Sequence, residues 1–242
     1  LKNKETKEET ALTTDGKKDY GYATNNAGWT KGDNPVMLWS PDSKKIATFR
    51  QDARNVEDMY LATTNVGHPT LEAWNYPLPG DEHIFMLERV IIHTDPVKIV
   101  RLKMDPDAQR STITDHVAGR GGKLLDAQWN EDGSKLAFVS TSRNHQVVTL
   151  RIADAETGDV RDLFTEKTDT FFESGYSEPN WRVFFNRNEI FWFSQRDNWG
   201  HLYLYDLETG KLKHQITKGD WNFKEYVKID HDNEIIYFIG SG

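Results

Sequence analysis

The stretch WNEDGSKLAFVS at residues 129–140 opens on a tryptophan, crosses a short polar turn and enters a strand with apolar residues at alternate positions. The same order of parts recurs as WSPDSKKIATFR at 39–50 and as WRVFFNRNEIFWFS at 181–194, with a weaker copy, VKIDHDNEIIYFIG, at 227–240. A second unit follows each of the first three: RVIIHTDPVKIVRL at 89–102, VVTLRIADAETGDVRDLF at 147–164 and HLYLYDLETGKLKHQIT at 201–217. Each of these reads as strand, tight turn, strand. The turns Asp154–Gly158 and Asp206–Gly210 share the pattern D-x-E-T-G. Asp and Thr side chains bond local backbone there, and glycine takes a positive φ at little steric cost, so the pattern predicts hairpins.

The spacing is regular. Trp129 and Trp181 stand 52 residues apart, as do Gly158 and Gly210, and Trp39 precedes Trp129 by 90. The extra residues lie mainly between the two units of the first repeat. A repeat of about 40–50 residues holding four short strands is one blade of a β-propeller. The expected fold class is therefore all-β: a β-propeller fragment of four-stranded antiparallel blades, with about three blades and parts of two more. Residues 1–36 read as the end of one blade and a linker. Blades follow at 37–104 (with an inserted arm at 51–86), 123–165 and 178–218, and 224–242 begins another. An isolated blade buries too little surface to stand alone, so stacking on neighbours must supply the core. The positions expected to point inward are Ile46, Phe49, Leu136, Phe138, Ile190, Trp192, Leu202 and Leu204, with Trp39, Trp129 and Trp181 wedged between blades. Two open blade faces would remain, and dimerisation through them or poor solubility is expected.

Composition supports strands and removes several functions. The 242 residues include eight Trp, twelve Phe and nine Tyr, an aromatic share of 12% that suits sheets. No apolar run reaches the roughly 18 residues of a membrane span. Leu1 opens a charged stretch with no signal-peptide pattern, and without an initiator Met the chain reads as starting inside a longer protein. There are no cysteines, which removes disulfides, thiolate metal sites and a cysteine nucleophile. The formal net charge of −8 argues against nucleic acid as a partner. The eight histidines form no H-x-H or H-E-x-x-H pattern, so no metal or other cofactor is expected. His201, at a strand start, reads as a structural hydrogen-bonding residue.

The WSPDS turn followed by the KKIATF strand is similar to the strands of TolB-like and prolyl oligopeptidase-type propellers. Two longer stretches narrow this. EAWNYPLPGDEHIFMLERVIIHTD at 72–95 and RDNWGHLYLYDLETGKLKHQITKGDW at 196–221 resemble segments of the dipeptidyl peptidase IV family, as does Ser177-Glu178-Pro179 ahead of the Trp181 strand. The resemblance runs from about residue 8 to the end. It implies a bacterial serine peptidase, periplasmic or secreted, that joins a propeller to a C-terminal α/β-hydrolase domain and releases N-terminal di- or tripeptides, often after Pro or Ala. The propeller of that family gates the active site and anchors the substrate's amino terminus.

No G-x-S-x-G nucleophile elbow and no strand–helix alternation occurs here, so the hydrolase domain is expected to be absent and this fragment inactive alone. The family's anchoring Glu-Glu pair is missing as well. The region before WSP reads YATNNAGWTKGDNPVML, and Asn25 and Asn26 are the polar candidates there, with Asp33 close by. The loop TEKTDTFFESGYSEPN at 165–180 would face the peptidase chamber, which makes Glu173 and Tyr176 candidates for substrate contact. The insert falls where the family carries an arm that reaches a partner subunit, so Tyr60, Leu61 and Trp74 are expected at a homodimer contact. Expected partners are thus peptide substrates, the parent's own hydrolase domain and a second copy. The alternative is a stand-alone TolB-like propeller acting as a protein-binding scaffold.

Overall fold

The computed structural model describes residues 1–24, 34–109, 124–172 and 179–242. The chain folds as a segment of β-propeller made of antiparallel four-stranded blades, and among the described residues its one helical element is a 3₁₀ turn at Phe185–Arg187. The strands of the first sheet are β1 (Tyr20–Tyr22), β2 (Leu38–Trp39) and β3 (Lys45–Asp52). After a separate hairpin of β4 (Asp58–Ala62) and β5 (Leu71–Asn75), the sheet continues with β6 (Met86–Thr94), β7 (Val97–Arg101) and β8 (Asp107–Ala108). The second sheet holds β9 (Ala127–Trp129), β10 (Lys135–Thr141), β11 (Val147–Asp154) and β12 (Val160–Lys167), in sequence order. The third repeats that order with β13 (Arg182–Phe184), β14 (Glu189–Ser194), β15 (His201–Asp206) and β16 (Leu212–Gln215). A final pair, β17 (Asn222–Asp230) and β18 (Ile235–Ser241), packs beside it.

Local chemistry sets the turns. Asn130 Oδ1 accepts from Lys135 N at 2.8 Å, and Ser40 Oγ accepts from Lys45 N at 2.9 Å, so one polar side chain closes each first hairpin. In the D-x-E-T-G turns, Asp154 Oδ1 accepts from the N–H groups of Glu156 and Thr157, and Asp206 Oδ1 from the N–H and hydroxyl of Thr209. Gly158 and Gly210 sit at φ of 74° and 69°, the left-handed region the pattern requires.

The first sheet has an interrupted edge. β1 pairs with the end of β3 (Tyr22 opposite Arg50) and β2 with its start (Leu38 opposite Ala47), so the edge strand is split in two. Ala23 N donates to Phe49 O and Val36 N to Ala23 O, both at 2.9 Å, which closes the base of the excursion between the two pieces.

The blades stack through both faces of their middle strands. On β10, Leu136 and Phe138 pack with Phe49, Leu87 and Ile91 of the first sheet, whereas Ala137 and Val139 pack with Val183, Ile190 and Trp192 of the third. β3 and β10 are buried at nearly every position, because each lies between two apolar layers. All eight residues expected to point inward are buried. Full burial of a side chain such as Phe138 or Trp192 contributes about 1.5–3 kcal/mol.

The tryptophan wedge holds for two of three. Trp129 and Trp181 are buried, and Trp129 Nε1 donates to Leu38 O of the first sheet at 3.2 Å. Trp39 is 37% exposed. It shares the face of Ile46, its cross-strand partner, and among the described residues no further sheet packs there. That face is covered instead by Leu12, Tyr22 and Met37 against Ile46, Val90 and Ile92, while Arg50 lies 3.6 Å over the ring of Tyr20. At the other end, β17 and β18 turn Phe223 and Phe238 toward Phe193 and Leu202, and leave Val227, Ile235, Tyr237 and Ile239 exposed.

Candidate functional site

The two ends of the blades are unlike. The tight turns at 40–44, 130–134, 155–158 and 207–210 share one end. The opposite end carries the hairpin arm, the crossings between blades and the start of the interrupted edge strand.

The edge strands β2, β9 and β13 each pair with the first residues of the strand that follows, beside the tight turns, and they draw together there. Gln128 of β9 donates from Nε2 to Val183 O at 2.6 Å and accepts from Val183 N at 3.1 Å, so a side-chain amide pairs with the third sheet as a strand would. Trp129 makes the matching tie to β2. Between these strands lies a recess of about 240 Å³, walled by Leu38, Leu124, Leu125 and Trp181, with Gln128 and Arg182 as its polar groups. Arg182 Nη1 donates to Pro179 O at 2.6 Å and to Trp181 O at 2.8 Å, and its guanidinium lies 5.0 Å from the centre of the Tyr226 ring. Burial pushes the Tyr226 phenol well above its ordinary range.

Charged groups outside the recess hold blades together. Arg89, buried between Leu87 and Ile91, donates to Asp107 and Asp126, each at 2.6 Å, and to Val139 O at 3.1 Å. Glu166 accepts from Trp192 Nε1 at 2.8 Å, from Arg196 Nη2 at 2.6 Å and from the Ser194 hydroxyl. Tyr203 is pushed up to about 12, first by burial and then by the charge of Asp197. His201 is fully buried, with Nδ1 at 3.1 Å from Thr217 Oγ1 and Nε2 at 2.9 Å from Gly219 O, the structural use expected of it.

The candidates Asn25, Asn26, Glu173 and Tyr176, together with Asp33, lie outside the described residues. Their flanking residues are placed. Thr24 donates to Gln51 Oε1 at 3.0 Å, and the Gln51 amide donates to Gln109 Oε1, so one glutamine grips residues that border both 25–33 and 110–123. Phe172, buried against Trp192, precedes 173–178, and Pro179 at the recess follows it. In the arm, Tyr60 and Leu61 are 64% and 52% exposed. Trp74 is half-buried opposite Met59, and its buried Nε1 has no partner among the described residues. Gln51, Gln128 and Arg182 were not foreseen. A lone polar residue in an apolar edge strand, as in Ala127-Gln128-Trp129, is the signal that marks such a tie.

Antiparallel four-stranded blades that follow one another along the chain define the β-propeller class. The profile of the family described as "Dipeptidyl peptidase IV (DPP IV) N-terminal region" matches residues 1–242, and the chain belongs to that family. It is 26% identical over 105 residues to dipeptidyl peptidase 4 of Arthroderma otae, a match covering 43% of this chain and 13% of that protein. Among solved structures, the fold matches a protein assigned as a dipeptidyl aminopeptidase IV from Bacteroides ovatus at TM-score 0.74 and 20% identity, over 96% of this chain and 33% of that one. It matches Porphyromonas gingivalis dipeptidyl peptidase 4 at TM-score 0.71 and 14% identity, over 98% of this chain and 32% of that one. The chain thus spans about a third of the length of these solved relatives.

Proposed function

We propose that this chain is the non-catalytic propeller region of a serine exopeptidase that releases di- or tripeptides from free amino termini, often after Pro or Ala. Its role is to gate the catalytic chamber and to hold the substrate's ammonium. A hydrolase domain of the parent supplies the Ser–His–Asp chemistry. The observation that carries this reading is the grip of Gln51, at the end of β3 away from the tight turns, on Thr24 and Gln109, two residues that border 25–33 and 110–123. The amide oxygens of Asn25 and Asn26 accept from the substrate ammonium, with less attraction than two carboxylates would exert, and Glu173 adds a full negative charge. Tyr176 contacts the peptide beside it. The exposed Tyr60 and Leu61 of the arm meet a second copy, an apolar pair suited to an interface.

The test is an assay of the full-length parent on p-nitroanilide conjugates of Gly-Pro and Ala-Ala-Pro, each with a free and an acetylated amino terminus. Cleavage of free-amine substrates alone, with the 242-residue chain inert, supports the reading, and the preferred length gives the size of the released peptide. A parent that cleaves acetylated and free substrates equally has no ammonium anchor, and one that cleaves none is no exopeptidase.

A further inference from the structure

The recess between the edge strands holds a single formal charge among its described lining residues, the guanidinium of Arg182. No carboxylate among the described residues pairs with it. Both of its hydrogen bonds leave from Nη1, to the carbonyls of Pro179 and Trp181. These bonds and the Tyr226 ring at 5.0 Å fix the plane of the group, while Nε and Nη2 have no acceptor among the described residues. That pair of N–H groups is the edge on which arginine forks a carboxylate, with two parallel charge-assisted bonds. The surrounding walls, Leu38, Leu124, Leu125 and Trp181, lower the local dielectric and give an apolar neighbour of the anion a place to lie. The volume of about 240 Å³ suits one or two side chains rather than a folded partner.

We propose that this recess binds a peptide carboxylate on the Nε–Nη2 edge of Arg182, with an apolar side chain of the same peptide against Leu124 and Trp181. The carboxylate comes from a C-terminus or from an acidic side chain. The inference rests on the peptide-handling role proposed above and deepens it: such a peptide is held by its ammonium at the rim and by an anion in the channel.

The experiment is calorimetric titration of this chain with three probes: acetyl-Ala-Leu as the free acid, acetyl-Ala-Leu amide, and acetyl-Ala-Leu-Glu amide. The expected result is binding of one or both acids at least about tenfold tighter than the neutral amide, weakening as NaCl is added. The first acid reports a C-terminal carboxylate and the second an acidic side chain. Arg182→Met is expected to remove the preference for the acids, and Arg182→Lys, which keeps the charge and loses the fork, to retain part of it. Equal binding of all three probes, no binding of either acid, or acid binding that ignores salt overturns the proposal in the unaltered chain, whether or not the methionine variant folds. The assay has no hydrolysis step. Failure here therefore leaves the exopeptidase reading standing, and a parent that cleaves nothing leaves this result standing.

Discussion

A β-carbon built on Gly158 would overlap the carbonyl oxygen of Arg101, and one on Gly210 would overlap the carbonyl oxygen of Leu163. The two contacts are equivalent: each D-x-E-T-G turn presses its glycine against the outer strand of the preceding blade. Lys103 N also donates to Gly158 O at 2.8 Å, and Arg161 donates to the carbonyls of Glu208 and Leu207. The glycine is needed for its positive φ and again for the docking of blades. Gly158→Ala and Gly210→Ala are each expected to destabilise the chain by at least about 2 kcal/mol, read from the urea midpoint. Gly16→Ala, with nothing near the added carbon and no positive φ, should leave the midpoint unchanged.

Gln128 satisfies both backbone groups of the buried Val183. Replacing it by alanine strands a donor and an acceptor, at a cost of about 1–3 kcal/mol. Thermal unfolding of Gln128→Ala should show that loss. Gln128→Glu should also lose stability, because a carboxylate accepts from Val183 N–H and repels the Val183 carbonyl.

Arg89→Met leaves Asp107 and Asp126 facing each other in a buried layer without their shared cation. Removing one partner of a buried ion pair costs about 3–5 kcal/mol. Chemical denaturation of this variant is expected to fall by that amount, and the triple change to Met with both aspartates replaced by asparagine should recover part of it.

The turn aspartates make the chain sensitive to acid. Backbone N–H donation, from Thr157 first, holds the Asp154 carboxyl below its ordinary value, and the N–H of Thr209 followed by its hydroxyl does the same for Asp206. A depressed carboxyl adds stability above its unfolded value of 3.8, and that contribution disappears as the pH drops through the folded value. Melting temperature should therefore fall below about pH 4. Asp154→Asn together with Asp206→Asn should flatten this fall, since the amide oxygen still accepts and no longer titrates.

The arm is testable without touching the blades. Tyr60→Ser with Leu61→Ser alters two exposed positions and should change the unfolding free energy by no more than about 0.5 kcal/mol. Sedimentation velocity should show a concentration-dependent dimer for the unaltered chain and a monomer for the double variant. A dimer in both would move the contact to the open face of Ile235, Tyr237 and Ile239.

Much of this architecture could be read from residue order alone. The tryptophan-led strands, the D-x-E-T-G turns and the 52-residue period determined blades, hairpins and the all-β class, because turn chemistry and apolar alternation act within a few residues. The family was legible for the same reason, in short motifs such as WSPDS. The two-sided burial of β10, the exposure of Trp39 and the half-burial of Trp74 were decided only by tertiary packing, since a residue's burial depends on what lies across from it. So were the tie of Gln128 to Val183, which spans 55 positions, and the lone guanidinium of Arg182 in an apolar recess. Local sequence shows that a strand carries a polar side chain; only the stacking of blades decides whether that side chain meets a backbone, a counter-ion or an open cavity.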